Sequence, residues 1–191
     1  MTLPEHEFIF LRHGQTEYNR EQRFQGHLDI PLNDYGHSQA ASVADLLANR
    51  QISRIVASPA RRVQQTIKPL LQASELPLHT EDDLMEFFVG SFEGRLIADI
   101  RQEHGLDEEA SIWSVLPDDA ERWPEFVSRA VTAVAHWTDR HAGETILIAS
   151  HGLVFRALAE SLVGKKIYTG NAEPHCFSPV EDGWAVNPLT T

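Results

Sequence analysis

Three short runs carry residues that could handle a phosphoryl group: Arg12-His13-Gly14-Gln15-Thr16, Ser58-Pro59-Ala60-Arg61-Arg62 and Ser150-His151-Gly152. Imidazole is a competent nucleophile near neutral pH without an added metal. A guanidinium grips two oxygens of one phosphate, which suits Arg12 and Arg62 to an anion clamp. Each run alone is a weak signal. Ser58-Pro59 reads as a helix N-cap with proline at the first helical position, and Gly14 and Gly152 read as turn residues. Those readings do not explain why all three runs should meet.

The elements around them supply the reason. Phe8 to Leu11, Arg54 to Ala57 and Thr145 to Ala149 are short and rich in β-branched or aromatic residues, as buried strands are. Each is followed by a helical pattern: Tyr35 to Arg50, Pro59 to Ala73 and Leu153 to Val163. A further helix is expected from Pro124 to His141, and weaker strands near Leu78, over Cys176 to Val180 and over Trp184 to Val186. Leu189 to Thr191 are expected to fray. Strands alternating with helices predict a three-layer α/β/α sandwich with a mainly parallel central sheet, in a single domain spanning 1–191. Ligands of such sheets bind beyond the carboxyl ends of the strands, where the three runs lie. Arg62 is expected on the same helical face as Ser58, one turn on, and Arg61 about 100° away on the solvent side. Helix N-termini after Ser58 and Gly152 would add positive potential at the same edge.

The formal net charge of −12 over 191 residues argues against nucleic acid and anionic membranes as partners. It also makes a local cluster of arginines and histidines stand out as an anion site. Cys176, the single cysteine, reads as a small buried apolar residue and cannot form an internal disulfide or a Cys-rich zinc site. The ten histidines show no His-Glu-x-x-His pattern, and His6, His79, His104, His136 and His141 read as surface residues, so no metal or other cofactor is expected. A polar N-terminus and the lack of a long apolar run point to a cytoplasmic protein. Nothing in the pattern specifies an oligomeric state.

Leu11 to Asn19 (LRHGQTEYN) resembles the signature of the histidine phosphatase, or phosphoglycerate mutase-like, superfamily. The resemblance continues through Arg23-Phe24-Gln25-Gly26, Pro31 to Gly36, Ser58 to Thr66, Glu86 to Gly94 and Ser150-His151-Gly152, covering most of the chain from Phe8 to Leu158. It implies a phosphoglycerate mutase-like fold and a phosphohistidine intermediate on His13. Arg12, Arg62 and a protonated His151 would hold the phosphoryl oxygens, and Glu86 would be the proton donor. It places Asn19 on the phosphate, and Gly14, Gln15, Thr16, Gln25, Gly26 and Gly152 close to the substrate. Only the spacing to Gly90 and Gly94 selects Glu86 among its acidic neighbours Glu81, Asp82, Asp83 and Glu93.

The same superfamily contains mutases that need cations for a second phosphate. Here the position of their substrate-binding lysine is Ile97, Leu153 replaces the asparagine after His-Gly, and 107–121 is acidic rather than arginine-rich. These departures favour hydrolysis of a small phosphorylated substrate over mutase chemistry. A non-catalytic phospho-ligand binding module is a further alternative, against which an intact His13 and Glu86 argue. Phe87, Phe88, Val89, Phe92 and Trp113 read mainly as core, with an apolar rim for the leaving group as the other reading.

Overall fold

The computed structural model describes residues 1–190. Its strands are β1 (Phe8–Arg12), β2 (Arg54–Ala57), β3 (Leu78–Thr80), β4 (Ile146–Ser150), β5 (Pro174–Val180) and β6 (Gly183–Pro188). They form one six-stranded sheet in the order β3-β2-β4-β1-β5-β6. The four strands from β3 to β1 pair in parallel, and β5 and β6 are antiparallel. The helices are α1 (Glu17–Arg20), α2 (Asp34–Leu47), α3 (Arg61–Ala73), α4 (Ile97–Glu103), α5 (Trp123–Arg140) and α6 (Gly152–Val163), with 3₁₀ turns at Asp82–Leu84, Gly90–Phe92 and Ile112–Val115.

Side-chain alternation along the strands sorts the core into two layers. Phe8, Phe10, Val56, Ile146 and Ile148 pack with Phe126 and Val134 of α5 and with Phe155 and Leu158 of α6. Ile9, Leu11, Ile55, Ala57, Leu147 and Ala149 face the other way, onto Val43 and Leu47 of α2 and Val63, Ile67 and Leu70 of α3. Both faces of β4 are therefore covered, and every residue of it is buried, which is why it reads as an unbroken apolar run. The expected three-layer sandwich with a mainly parallel sheet is the fold observed.

Several boundaries differ from the sequence reading. Helix α3 begins at Arg61, with Ala60 as its N-cap and no side-chain capping bond. Ser58 and Pro59 lie outside it, because the Ser58 hydroxyl is engaged with the His151 ring instead. Helices α1 and α4 were not expected. Both are short, with no buried residue in α1 and only Ile100 in α4, so neither carries an apolar stripe to read. Strand β5 starts at Pro174, two residues early, where it pairs with Leu11 of β1. Leu189 is tied down rather than frayed: its amide donates to the Pro174 carbonyl at 2.8 Å. Thr191 lies outside the described residues. Cys176 is half-buried rather than fully buried, and partial burial with a nearby Glu7 pushes its thiol up to about 11. Among the described residues no helix is long and apolar enough to cross a membrane.

Candidate active site

The carboxyl ends of β1, β2 and β4 converge on one cavity of about 220 Å³. Arg12, His13, Asn19, Gln25, Gly26, Arg62, Glu86 and Gly152 line it, together with Arg23, Phe24, Phe87, Val89, Trp113, Leu153, Tyr168 and Thr169. His13 lies one residue beyond β1, with its amide donating to the Ser150 carbonyl of β4 at 3.0 Å. Its Nδ1 is 2.8 Å from the carbonyl of Gly14. A carbonyl can only accept, so Nδ1 carries the proton and Nε2 keeps a free lone pair. Burial, followed by the charges of Arg62 and Arg12, holds the His13 pKa well below the usual imidazole range. The ring is thus neutral and oriented by a backbone acceptor.

His151 stands opposite, with its ring centroid 5.3 Å from that of His13. It is completely buried, and its Nε2 lies 2.8 Å from the Ser58 hydroxyl. Burial first, then Arg62, His13 and Arg12, push its pKa well below the ordinary value. In the ligand-free site this direction disfavours the protonated form that the sequence reading assigned to His151 in the phosphoryl-bound state. Without a counter-anion, burial first and the charges of the two guanidiniums second favour the neutral ring. The Ser58 hydroxyl also lies 3.3 Å from Met85 Sδ; when it donates to Nε2, the ring proton sits on Nδ1, which has no protein partner.

The arginines are held from behind. Arg12 donates from Nη1 to the Thr169 carbonyl at 2.7 Å. Arg62, fully buried in the first turn of α3, donates to the Leu28 and Gly26 carbonyls at 2.8 and 2.9 Å. Arg61 is exposed, as expected. Among the described residues, the buried side-chain nitrogens and oxygens lacking a partner are Arg12 Nε, Arg62 Nε and His151 Nδ1. Buried donors are rarely left unpaired; Arg12 and Arg62 line the cavity with His13, and the His151 ring stands 5.3 Å from the His13 ring. Gly152 lets Arg12 approach: a Cβ there would stand 3.3 Å from its Cζ and Nε. Gly14 has the same need, since its Cβ would meet the Gly36 carbonyl oxygen at 2.7 Å.

Glu86 accepts from the Phe87 amide at 2.9 Å and the Leu153 amide at 3.4 Å. Burial raises its pKa, against the opposing pull of those amides and of both arginines. The segment carrying Glu86 is anchored by Arg129 of α5. That side chain donates to the Asp83, Met85 and Glu86 carbonyls and pairs with Glu121 at 2.7 Å.

Of the residues expected at the substrate, four do not line the cavity: His151, Gly14, Gln15 and Thr16. The Gly14 amide is already spent as a donor, to Thr66 Oγ1 at 2.9 Å. Gln15 is bonded through its side chain to Asn33 and through its amide to Gln39. Thr16 caps α1 in a reciprocal pair with Asn19 and donates to Gln25 Oε1 at 2.8 Å, so it orients two residues that do line the cavity. Asn171, which sequence reading missed, donates to the His13 carbonyl at 3.0 Å. Phe87 and Val89 turn out to be both core and cavity wall, Phe92 is core, and Phe88 packs at a tilt against His27. No sequence signal marked Tyr168 or Thr169, which reach the site only because the chain returns from α6 to β5 across it.

A family model for the histidine phosphatase superfamily, branch 1, matches residues 8–181. The chain belongs to the histidine phosphatase superfamily. By family it is a phosphatase. Phosphoglycerate mutase-like protein 4 of Arabidopsis thaliana is 34% identical over 160 residues, which cover 81% of this chain and 70% of that protein. Glucosyl-3-phosphoglycerate phosphatase of Mycolicibacterium vanbaalenii is 30% identical, covering 82% and 73%. Among solved structures, a mycobacterial glucosyl-3-phosphoglycerate phosphatase in complex with VO3 superposes with a TM-score of 0.83 at 25% identity, covering 96% of this chain and 98% of that one. The α-ribazole phosphatase of Shigella flexneri superposes with a TM-score of 0.82 at 25% identity, covering 97% and 96%.

Proposed function

We propose that this protein is a metal-independent phosphomonoesterase that acts on a small phosphate ester through a phosphohistidine on His13. The observation that carries this reading is the pair of partnerless buried guanidinium nitrogens on Arg12 and Arg62, which line one cavity with the neutral His13 whose Nε2 is free, together with the partnerless Nδ1 of the adjoining His151. They supply donors for the equatorial oxygens of a phosphoryl group, where charge accumulates in a loose transition state. His13 Nε2 attacks phosphorus as the phosphorus–oxygen ester bond breaks. The departing oxygen takes its proton from Glu86, whose raised pKa keeps that proton available. In the second half, water attacks phosphohistidine and gives a proton to the Glu86 carboxylate. The phosphorus–nitrogen bond breaks, and inorganic phosphate and neutral His13 are released.

Apolar walls support hydrolysis over mutase chemistry. Beyond the cradle the cavity is lined by Phe24, Phe87, Val89, Trp113 and Leu153. Its additional arginine, Arg23, is already engaged by Glu21 at 2.6 Å and by the Gly94 carbonyl at 2.9 Å. Ile97 opens α4 and packs against the core. The mutase reading retains one support, the names of relatives such as the probable phosphoglycerate mutase GpmB of Yersinia pestis, 32% identical over 81% of this chain and 73% of that one.

The deciding measurement is phosphate release from p-nitrophenyl phosphate in the presence of a chelator. Turnover is expected in the native chain and none above background in His13→Ala. An acid-labile, alkali-stable phosphoryl adduct should be trapped on His13. Loss of turnover on chelation sinks metal independence. Interconversion of 2- and 3-phosphoglycerate dependent on added bisphosphate would instead establish the mutase. Tight ester binding without turnover would establish the binding module.

A further inference from the structure

A second cavity of about 280 Å³ adjoins the first. Phe87, Trp113 and Tyr168 line both, so the two cavities lie on either side of the same three side chains. At about 220 and 280 Å³, each alone is smaller than the roughly 300 to 1,000 Å³ of an ordinary small-molecule site, whereas together they fall within it. The far end is completed by Ser111, Leu116, Trp123, Arg156 and Lys166.

Arg156 is an unusual group to find there. It is only 9% exposed, yet it lines a cavity on the α6 face. Its Cζ lies 4.6 Å from the Trp123 ring centroid and 5.8 Å from that of Tyr168, so the guanidinium lies within cation–π range of two aromatic rings. Nε donates to Glu160 at 2.8 Å, one turn along the helix. Among the described residues the two Nη nitrogens have no hydrogen-bond partner, which leaves a pre-oriented fork of donors beside the cavity. The exposed Lys166 adds a second cation to the same lining. Glu160 cancels one of the two positive charges, so the local balance suits an anion of single charge.

We propose that this second cavity holds the far end of the substrate, and that the alcohol released carries a flat or apolar segment ending in a carboxylate bound by Arg156 and Lys166. The phosphoryl group would lie on His13, the segment would cross Phe87, Trp113 and Tyr168, and the carboxylate would meet the guanidinium fork. This rests on the phosphatase reading and narrows it to a substrate class.

The test compares two phenyl phosphates that differ only at the end of a para-propionyl chain, one a carboxylate and the other its amide, with p-nitrophenyl phosphate as reference. The native chain is expected to favour the carboxylate in kcat/KM by about tenfold, the worth of one charge-assisted hydrogen-bonded pair. Lys166→Ala and Arg156→Lys should each narrow that ratio towards one. A purely structural loss would lower both esters alike and leave the ratio intact. If Arg156→Lys does not fold, the exposed Lys166→Ala decides alone. Equal use of both esters by the native chain, or a ratio unchanged in Lys166→Ala, overturns the proposal. Preference for a second phosphate over the carboxylate overturns the carboxylate assignment. No turnover of any ester, p-nitrophenyl phosphate included, would sink the phosphatase reading separately. The ratio of dissociation constants in His13→Ala, measured by calorimetry, then decides the second cavity by the same criterion.

Discussion

His13 is buried and Glu86 half-buried in the lining of one cavity, and the two are displaced in opposite directions. The imidazole pKa is depressed by burial and by the arginines, and the carboxyl pKa is raised by burial. The nucleophile must be unprotonated and the acid protonated, so kcat/KM should be bell-shaped. Its acid limb should lie below the ordinary imidazole range and its alkaline limb above the ordinary carboxylate range. Glu86→Gln should lower kcat about 10²- to 10⁴-fold and remove the alkaline limb. A limb that survives that substitution would assign the titration to another group. Ser58 acts one step back. Its hydroxyl holds His151 Nε2 at 2.8 Å, which leaves the Nδ1 proton for a phosphoryl oxygen. Ser58→Ala should cost about tenfold in kcat by freeing the tautomer, with Thr restoring most of it. An Ala variant as active as the native chain would show that the ring needs no such partner. The contact joins residues 93 positions apart. The local pattern offered Ser58 a helix cap instead, and only the fold shows that its hydroxyl is spent elsewhere.

Elements aim these groups. Strand ends set His13 and His151, and the first turn of α3 sets Arg62, but Glu86 lies on an irregular segment between two 3₁₀ turns. The rigidity of that segment comes from α5, through the three carbonyls and the Glu121 carboxylate that Arg129 holds. Arg129→Met should therefore lower kcat about tenfold by misplacing the proton donor, while destabilising the chain by about 1–3 kcal/mol. Steady-state kinetics and thermal melts together check it. A change in melting temperature with kcat untouched would show that Glu86 is held without Arg129. Helices α2, α3, α5 and α6 were legible because each carries an apolar stripe onto one face of the sheet. Helices α1 and α4 were not, because a helix of one or two turns has too few core positions to make a pattern.

Across the whole molecule, a chain of net charge −12 keeps a small cationic pocket in which two guanidiniums are desolvated. Burial costs those groups part of their hydration, and an anion that pairs with the three free nitrogens returns it. Inorganic phosphate should thus raise the melting temperature, by an amount corresponding to about 2.7 kcal/mol at a hundredfold excess over its dissociation constant. In Arg62→Met the rise should vanish. A rise of equal size with chloride at the same ionic strength would point to general screening instead. The sequence by itself determined the layers, the strand ends and the identity of the residues there, since apolar period and motif order are local properties of the chain. Tertiary structure alone decided that burial disfavours a charged His151 in the ligand-free site, that Ser58 meets its ring, that Gln15 faces Asn33, and that Tyr168 and Arg156 line a second chamber. Charge state and direction depend on burial and on neighbours brought from distant positions, and neither quantity is written in any single stretch of residues.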